Sequence, residues 1–254
     1  TAPPEMPILQ LKDPVLVSTV KFVVPLDPQT RTSGDPNFDA YQLRGGQFAD
    51  WTTTQETAAF EFQPQPNTTN TLQIRGVDLA GNPSPVAALA VIQDSIPPTA
   101  PILAPLNRSA VNTPTIGLRV DVPSLDPHFS HYQLRGGQYQ NWTSVSETAV
   151  FSFELARNAE NLLNVRGVDR AGNIGEAVTV RAIHDAIPPQ APGQPSAREE
   201  TSPGSGFARS FPLTWEWGPA KDNFRVDSYQ VFVLVDSGNL TLAGSTPTAS
   251  FPLA

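Results

Sequence analysis

Apolar and polar side chains change places at every second position along much of the first hundred residues. Tyr41 and Leu43 point one way while Gln42 and Arg44 point the other. Phe60 and Phe62 flank Glu61, and Leu72, Ile74 and Gly76 alternate with Gln73, Arg75 and Val77. A period of two is that of a strand with one buried face. On this basis residues 8–11, 15–24, 38–43, 49–53, 58–62, 71–77 and 86–93 read as strands, separated by Pro, Gly, Asn and Asp. Seven short strands in a segment of this length, each with one apolar face, describe a two-sheet sandwich.

The pattern then repeats with a fixed offset of 91 residues. Tyr41-Gln42-Leu43-Arg44-Gly45-Gly46-Gln47 returns as Tyr132-Gln133-Leu134-Arg135-Gly136-Gly137-Gln138, Trp51 as Trp142, and Phe60 and Phe62 as Phe151 and Phe153. Arg75-Gly76-Val77-Asp78 returns as Arg166-Gly167-Val168-Asp169, each followed by Ala-Gly-Asn one residue later. Over residues 41–98 the match needs no gap, and 29 of 58 positions are identical. That period exceeds the roughly 20–50 residues of a solenoid repeat and fits a small domain copied in tandem.

Three related proline-rich joints, Pro3-Pro4-Glu5-Met6-Pro7, Pro97-Pro98-Thr99-Ala100-Pro101 and Pro188-Pro189-Gln190-Ala191-Pro192, set the expected domains at 1–96, 97–187 and 188–254. Proline fixes φ and resists helix, so these joints are expected to be extended and stiff. In the last segment Leu213, Trp215 and Trp217 alternate along one strand, Gly218-Pro219 breaks it, and 228–233, 239–244 and 249–253 supply three more. Residues 202–206 read as a flexible loop. The segment holds no counterpart of the Val-Asp-x-Ala-Gly-Asn strand or its successor, so it reads as a truncated domain.

Composition narrows the function classes. With 27 prolines, 17 glycines and 39% hydrophobic residues the chain is neither disordered nor helical in character. It has no cysteine, which excludes disulfides and zinc–thiolate sites within it. No apolar run approaches the roughly 18 residues of a membrane span, and no signal peptide is evident. The net charge of −8, with no segment net basic, argues against nucleic acid as a partner. The Arg-Gly-Gly tripeptides occur once per repeat at a strand end, as turn formers.

The order Tyr-x-Leu, Gly-Gly, Trp-Thr, Phe-x-Phe, Leu-x-(Ile/Val)-Arg, Val-Asp-x-Ala-Gly-Asn, closed by Asp94-Ser95-Ile96-Pro97-Pro98 and Asp185-Ala186-Ile187-Pro188-Pro189, resembles bacterial immunoglobulin-like repeats. The last segment, with Trp217 before Gly-Pro and Tyr229 in the next strand, resembles a fibronectin type III domain. The fold expected is therefore all-β: tandem immunoglobulin-like and fibronectin type III-like β-sandwiches in an elongated array. The resemblance implies a non-catalytic structural or adhesive protein, extracellular or at the cell surface: a stalk or adhesin segment of a bacterial surface protein. Two alternatives stay open, a subunit of an extracellular filament or sheath, and a spacer or carbohydrate-binding module of a secreted enzyme. The partners expected are a protein or glycan at a cell surface, or copies of the chain itself.

No enzyme constellation is legible. His128, His131 and His184 occur only in the second copy, and no third metal ligand stands at a useful spacing from the first two. No serine sits in a nucleophile-elbow context. No cofactor is expected, with calcium as one possibility: Asp78 and Asp169 precede tight turns, Asp94 and Asp185 lie at the joints, and a turn aspartate of one domain would meet a joint aspartate of its neighbour. The competing reading has the turn aspartates capping their own amides.

The candidate binding face is the outward side of one sheet. If the third and sixth strands pair, as the fold implies, Gln42 and Arg44 lie near Gln73 and Arg75, and Gln133 and Arg135 near Asn164 and Arg166. Planar amides and guanidiniums hydrogen-bond sugars, carboxylates or protein. Trp51 and Trp142 would add an aromatic platform at the sheet edge. The alternative pairs these arginines with glutamates across strands and packs the tryptophans into the core. Asn67, Asn107, Asn141 and Asn239 each begin an Asn-x-Ser/Thr acceptor pattern, which chance readily supplies in a chain this rich in Asn, Ser and Thr.

Overall fold

The computed structural model describes residues 2–11, 13–146, 148–199, 213–234 and 239–253; the loop expected at 202–206 lies outside them. Among the described residues regular structure consists of strands and a single 3₁₀ turn at Thr32–Gly34. The chain divides into two compact units. The first comprises Thr1–Asn107, Gly117–Phe153 and Leu162–Val180; the second comprises Arg108–Ile116, Glu154–Asn161 and Arg181–Ala254.

In the first copy the strands are β1 (Val15–Val17), β2 (Phe22–Pro25), β3 (Phe38–Gly45), β4 (Phe48–Thr54), β5 (Ala59–Phe62), β6 (Thr68–Asp78) and β7 (Ala87–Gln93). They form a five-stranded sheet in the order β1-β7-β6-β3-β4 and a two-stranded sheet of β2 and β5. The alternating apolar residues meet between the sheets: Val24, Phe60 and Phe62 from one, and Tyr41, Leu43, Leu72, Ile74, Leu89 and Val91 from the other. Such burial supplies about 1.5–3 kcal/mol per large side chain.

The run 15–24, expected as one strand, is two. β1 runs parallel to β7, whereas β2 pairs antiparallel with β5, so the chain changes sheets across 18–21. Residues 8–11 form a single bridge, Leu9 to Leu26, in place of the expected strand.

The second copy contributes β8 (Ile102–Pro105), β9 (Ala110–Val111), β10 (Thr115–Val122), β11 (Phe129–Gly136), β12 (Tyr139–Val145), β13 (Val150–Glu154), β14 (Ala159–Asp169) and β15 (Val178–His184). Its aromatic contacts repeat those of the first. Tyr41 meets Phe60 edge-on at 5.2 Å and Tyr132 meets Phe151 at 5.3 Å; Phe48–Phe62 and Tyr139–Phe153 are both 5.6 Å. The Gly-Gly turns coincide too. Gly45 and Gly136 have φ of +102° and +111°, and a Cβ on either would collide with a carbonyl oxygen, that of Thr71 or Leu162. Only glycine fits there.

In the second unit β9 runs parallel to the end of β15. The last segment supplies β16 (Ser196–Glu199), β17 (Leu213–Glu216), β18 (Tyr229–Leu234), β19 (Leu240–Thr246) and β20 (Ser250–Leu253), in sheets β16-β17-β20 and β18-β19. Trp217 falls just outside β17, its backbone N–H bonded to the Ala249 carbonyl and its ring edge-on to Tyr229 at 5.4 Å. The chain is an all-β protein of β-sandwich architecture.

Candidate functional site

The expected pairing of third and sixth strands is present. Gln42 stands opposite Arg75 and Arg44 opposite Gln73; in the second copy Gln133 faces Arg166 and Arg135 faces Asn164. The eight side chains therefore assemble into two four-residue groups, one per copy, as strand parity required.

The tryptophans stand at the sheet edge, on β4 and β12, and not in the core. Trp51 is half-buried on the outward face rather than in the core, and its ring lies beneath the Arg75 guanidinium, with Cζ 4.0 Å from the ring centroid. Trp142 stands under Arg166 at the same 4.0 Å. The arginine occupies one face of each ring. The arginines do not pair with glutamate either. Arg75 Nε donates to Gln42 Oε1 at 2.9 Å, and Arg166 donates to Gln133 Oε1 from Nε at 3.0 Å and Nη2 at 2.8 Å. Each copy thus holds one guanidinium oriented by an amide and a cation–π contact. Arg44 and Arg135 project nearby, exposed.

The four aspartates read as calcium candidates do not converge. Asp78 Oδ1 accepts the N–H groups of Ala80 and Asn82, and its Oδ2 accepts from the Asn82 amide. Asp169 is held likewise by the Asn173 backbone and side chain. Asp185 Oδ1 accepts the Ile187 N–H. These are turn-capping contacts.

Asp94 differs. It is 6% exposed, its Oδ1 accepts the Ile96 N–H, and its Oδ2 accepts from His128 Nδ1 at 2.8 Å. Asn173 Nδ2 donates 2.8 Å bonds to both the Asp94 carbonyl and Asp169 Oδ2. The meeting of a joint aspartate with a turn of the other copy therefore occurs, through an asparagine amide. Asp94, Asp126 and His128 bring ligand atoms within 4.8 Å of one another, the one such cluster among the described residues; Asp78, Asp169 and Asp185 belong to none. The sequence concealed it because its members come from different copies, 34 residues apart at the extremes. The other histidines also have partners: His131 bonds to Ser130 and Ser144, and buried His184 accepts the Asn158 N–H.

No protein-family model matches the chain, and no match was found among curated protein sequences. Among solved structures it is similar to the FN1–FN3 domains of chicken CNTN1, with 17% identity and a TM-score of 0.45 over 72% of this chain and 69% of that one. It is also similar to the fibronectin(III)-like modules of Clostridium thermocellum CbhA, with 11% identity and a TM-score of 0.43 over 71% of this chain and 95% of that one.

Proposed function

We propose that this chain is a non-catalytic array of β-sandwich repeats from an extracellular or cell-surface protein, a stalk or adhesin segment of a bacterial surface protein. The observation that supports it is the duplicated outward face: the same arginine, glutamine and tryptophan in the same contacts, 91 residues apart. A catalytic domain concentrates its chemistry in one cleft, whereas display of one surface at intervals is what tandem copying achieves. The polar joint around Asp94 would keep the two displayed faces at a fixed angle. In this reading the domains are 1–96, 97–187 and 188–254.

A second reading, a filament or sheath subunit, has its own support. On β18 and β19, Phe232 stands opposite Leu242 and Leu234 opposite Leu240, and all four are half or more exposed. An apolar patch on one hairpin face marks an association surface. Light scattering after size exclusion, over a wide concentration range, separates the readings. A stalk keeps a monomer's mass throughout; mass that grows with concentration overturns the stalk in favour of the filament.

A further inference from the structure

We infer that the repeated outward face binds carboxylates, and that its ligand is an extended acidic segment of another polypeptide; this rests on reading that face as the functional surface. Arg44 with Arg135 and Arg75 with Arg166 are the only arginines that recur at the 91-residue offset. Of the other described arginines, Arg119, Arg181, Arg198 and Arg225 are ion-paired and Arg31, Arg108, Arg157 and Arg170 are not, but none of these eight recurs. Among the described residues none of the four recurring ones pairs with a carboxylate, in a chain with 24 acidic against 16 basic residues. What sets this face apart is that its unpaired positive charge recurs in both copies of an acidic protein.

The geometry narrows the ligand. A guanidinium has five N–H donors; Gln42 takes one from Arg75, and Gln133 takes two from Arg166. The remainder stay available, on a group already oriented by stacking and so costing little entropy to engage. Because Arg44 faces Gln73 and Gln42 faces Arg75, the two arginines are diagonal neighbours across β3 and β6. That diagonal measures about 7–8 Å between backbones. Same-side residues i and i+2 of an extended chain lie about 6.6–6.8 Å apart. Two acidic residues at alternate positions of one strand therefore match the two guanidiniums. The arginine already covers one face of each tryptophan, which leaves a sugar ring at most one face to stack on.

The test measures binding of the full chain to three probes: a peptide of alternating glutamate and threonine, the same peptide with glutamine for glutamate, and polygalacturonate. The glutamate peptide is expected to bind about tenfold or more tighter than the glutamine peptide, and to weaken as salt rises. The double variant Arg44→Gln/Arg135→Gln is expected to lose that difference while melting like the parent, since both side chains are exposed. Equal binding of the two peptides, or a glutamate preference that survives in the double variant, overturns the inference. Tighter binding of polygalacturonate that is lost in the double variant overturns the polypeptide ligand but leaves the face functional. If the double variant alters binding of no probe, the reading of the face itself falls.

Discussion

Tyr41 and Tyr132 occupy the same place in the two copies, both essentially unexposed, yet their hydroxyls have opposite fates. Tyr132 Oη accepts the N–H of buried Ser124 at 2.8 Å. Tyr41 Oη is buried with no hydrogen-bond partner. The difference lies in the preceding segment. In the first copy it forms the 3₁₀ turn, where the N–H groups of Gly34 and Asp35 go to the carbonyls of Arg31 and Thr32. Removing the hydroxyl should therefore act oppositely at the two sites. Tyr132→Phe strands the Ser124 N–H away from water and is expected to cost about 1–3 kcal/mol. Tyr41→Phe removes a buried polar atom that bonds to nothing, and is expected to be neutral or to stabilise by up to about 1 kcal/mol. Urea unfolding gives the totals, and hydrogen exchange read by mass spectrometry assigns each change to its own copy. An equal cost at both positions would refute the reasoning.

Further outcomes follow from other contacts. His128→Ala leaves the Asp94 carboxylate buried without its ring partner and should destabilise by about 1–3 kcal/mol, with faster amide exchange around 94–98 and 126–128; exchange unchanged there would remove the joint's polar lock. Trp51→Ala should cost more than the cation–π term of about 0.5–2 kcal/mol, and in the Trp51→Ala background Arg75→Gln should cost less than it does alone, as a double-mutant cycle would show. Gly136→Ala forces a side chain into positive φ against the Leu162 carbonyl and should cost over about 1 kcal/mol, whereas Gly172→Ala, also at positive φ but with open space around it, should cost less; melting curves rank them. Because turn amides already hold Asp78 and Asp169, a calcium titration should leave the melting temperature unchanged; a rise would show that the ion competes successfully for Asp94 and Asp126.

The sandwich was legible because burial imposes period two, and β3, β5 and β6 carry that period in residues such as Tyr41, Phe60 and Leu72. The break at 18–21 was not, since apolar residues continue on both sides of it and only pairing partners distinguish β1 from β2. The arginine–glutamine pairs followed from parity along β3 and β6. The tryptophan's place beside this face was legible as well: in the register set by Gly45 opposite Phe48, Trp51 shares the face of Gln42. What composition could not tell is that the ring would lie under an arginine one strand further on. The Asp94 cluster was illegible for a different reason. His128 is 34 residues and Asn173 79 residues from Asp94, and no periodicity relates contacts made between two copies.

A stiff joint between the copies would display the repeated face at fixed intervals. Residual dipolar couplings from a weakly aligned sample test it most directly, using amides of 15–93 and of 117–153 with 162–180. One alignment tensor is expected to fit both sets, and His128→Ala is expected to split it into two. Two tensors of different magnitude in the unmodified chain would contradict it, because the copies would then be moving independently about the Pro97-Pro98 linker.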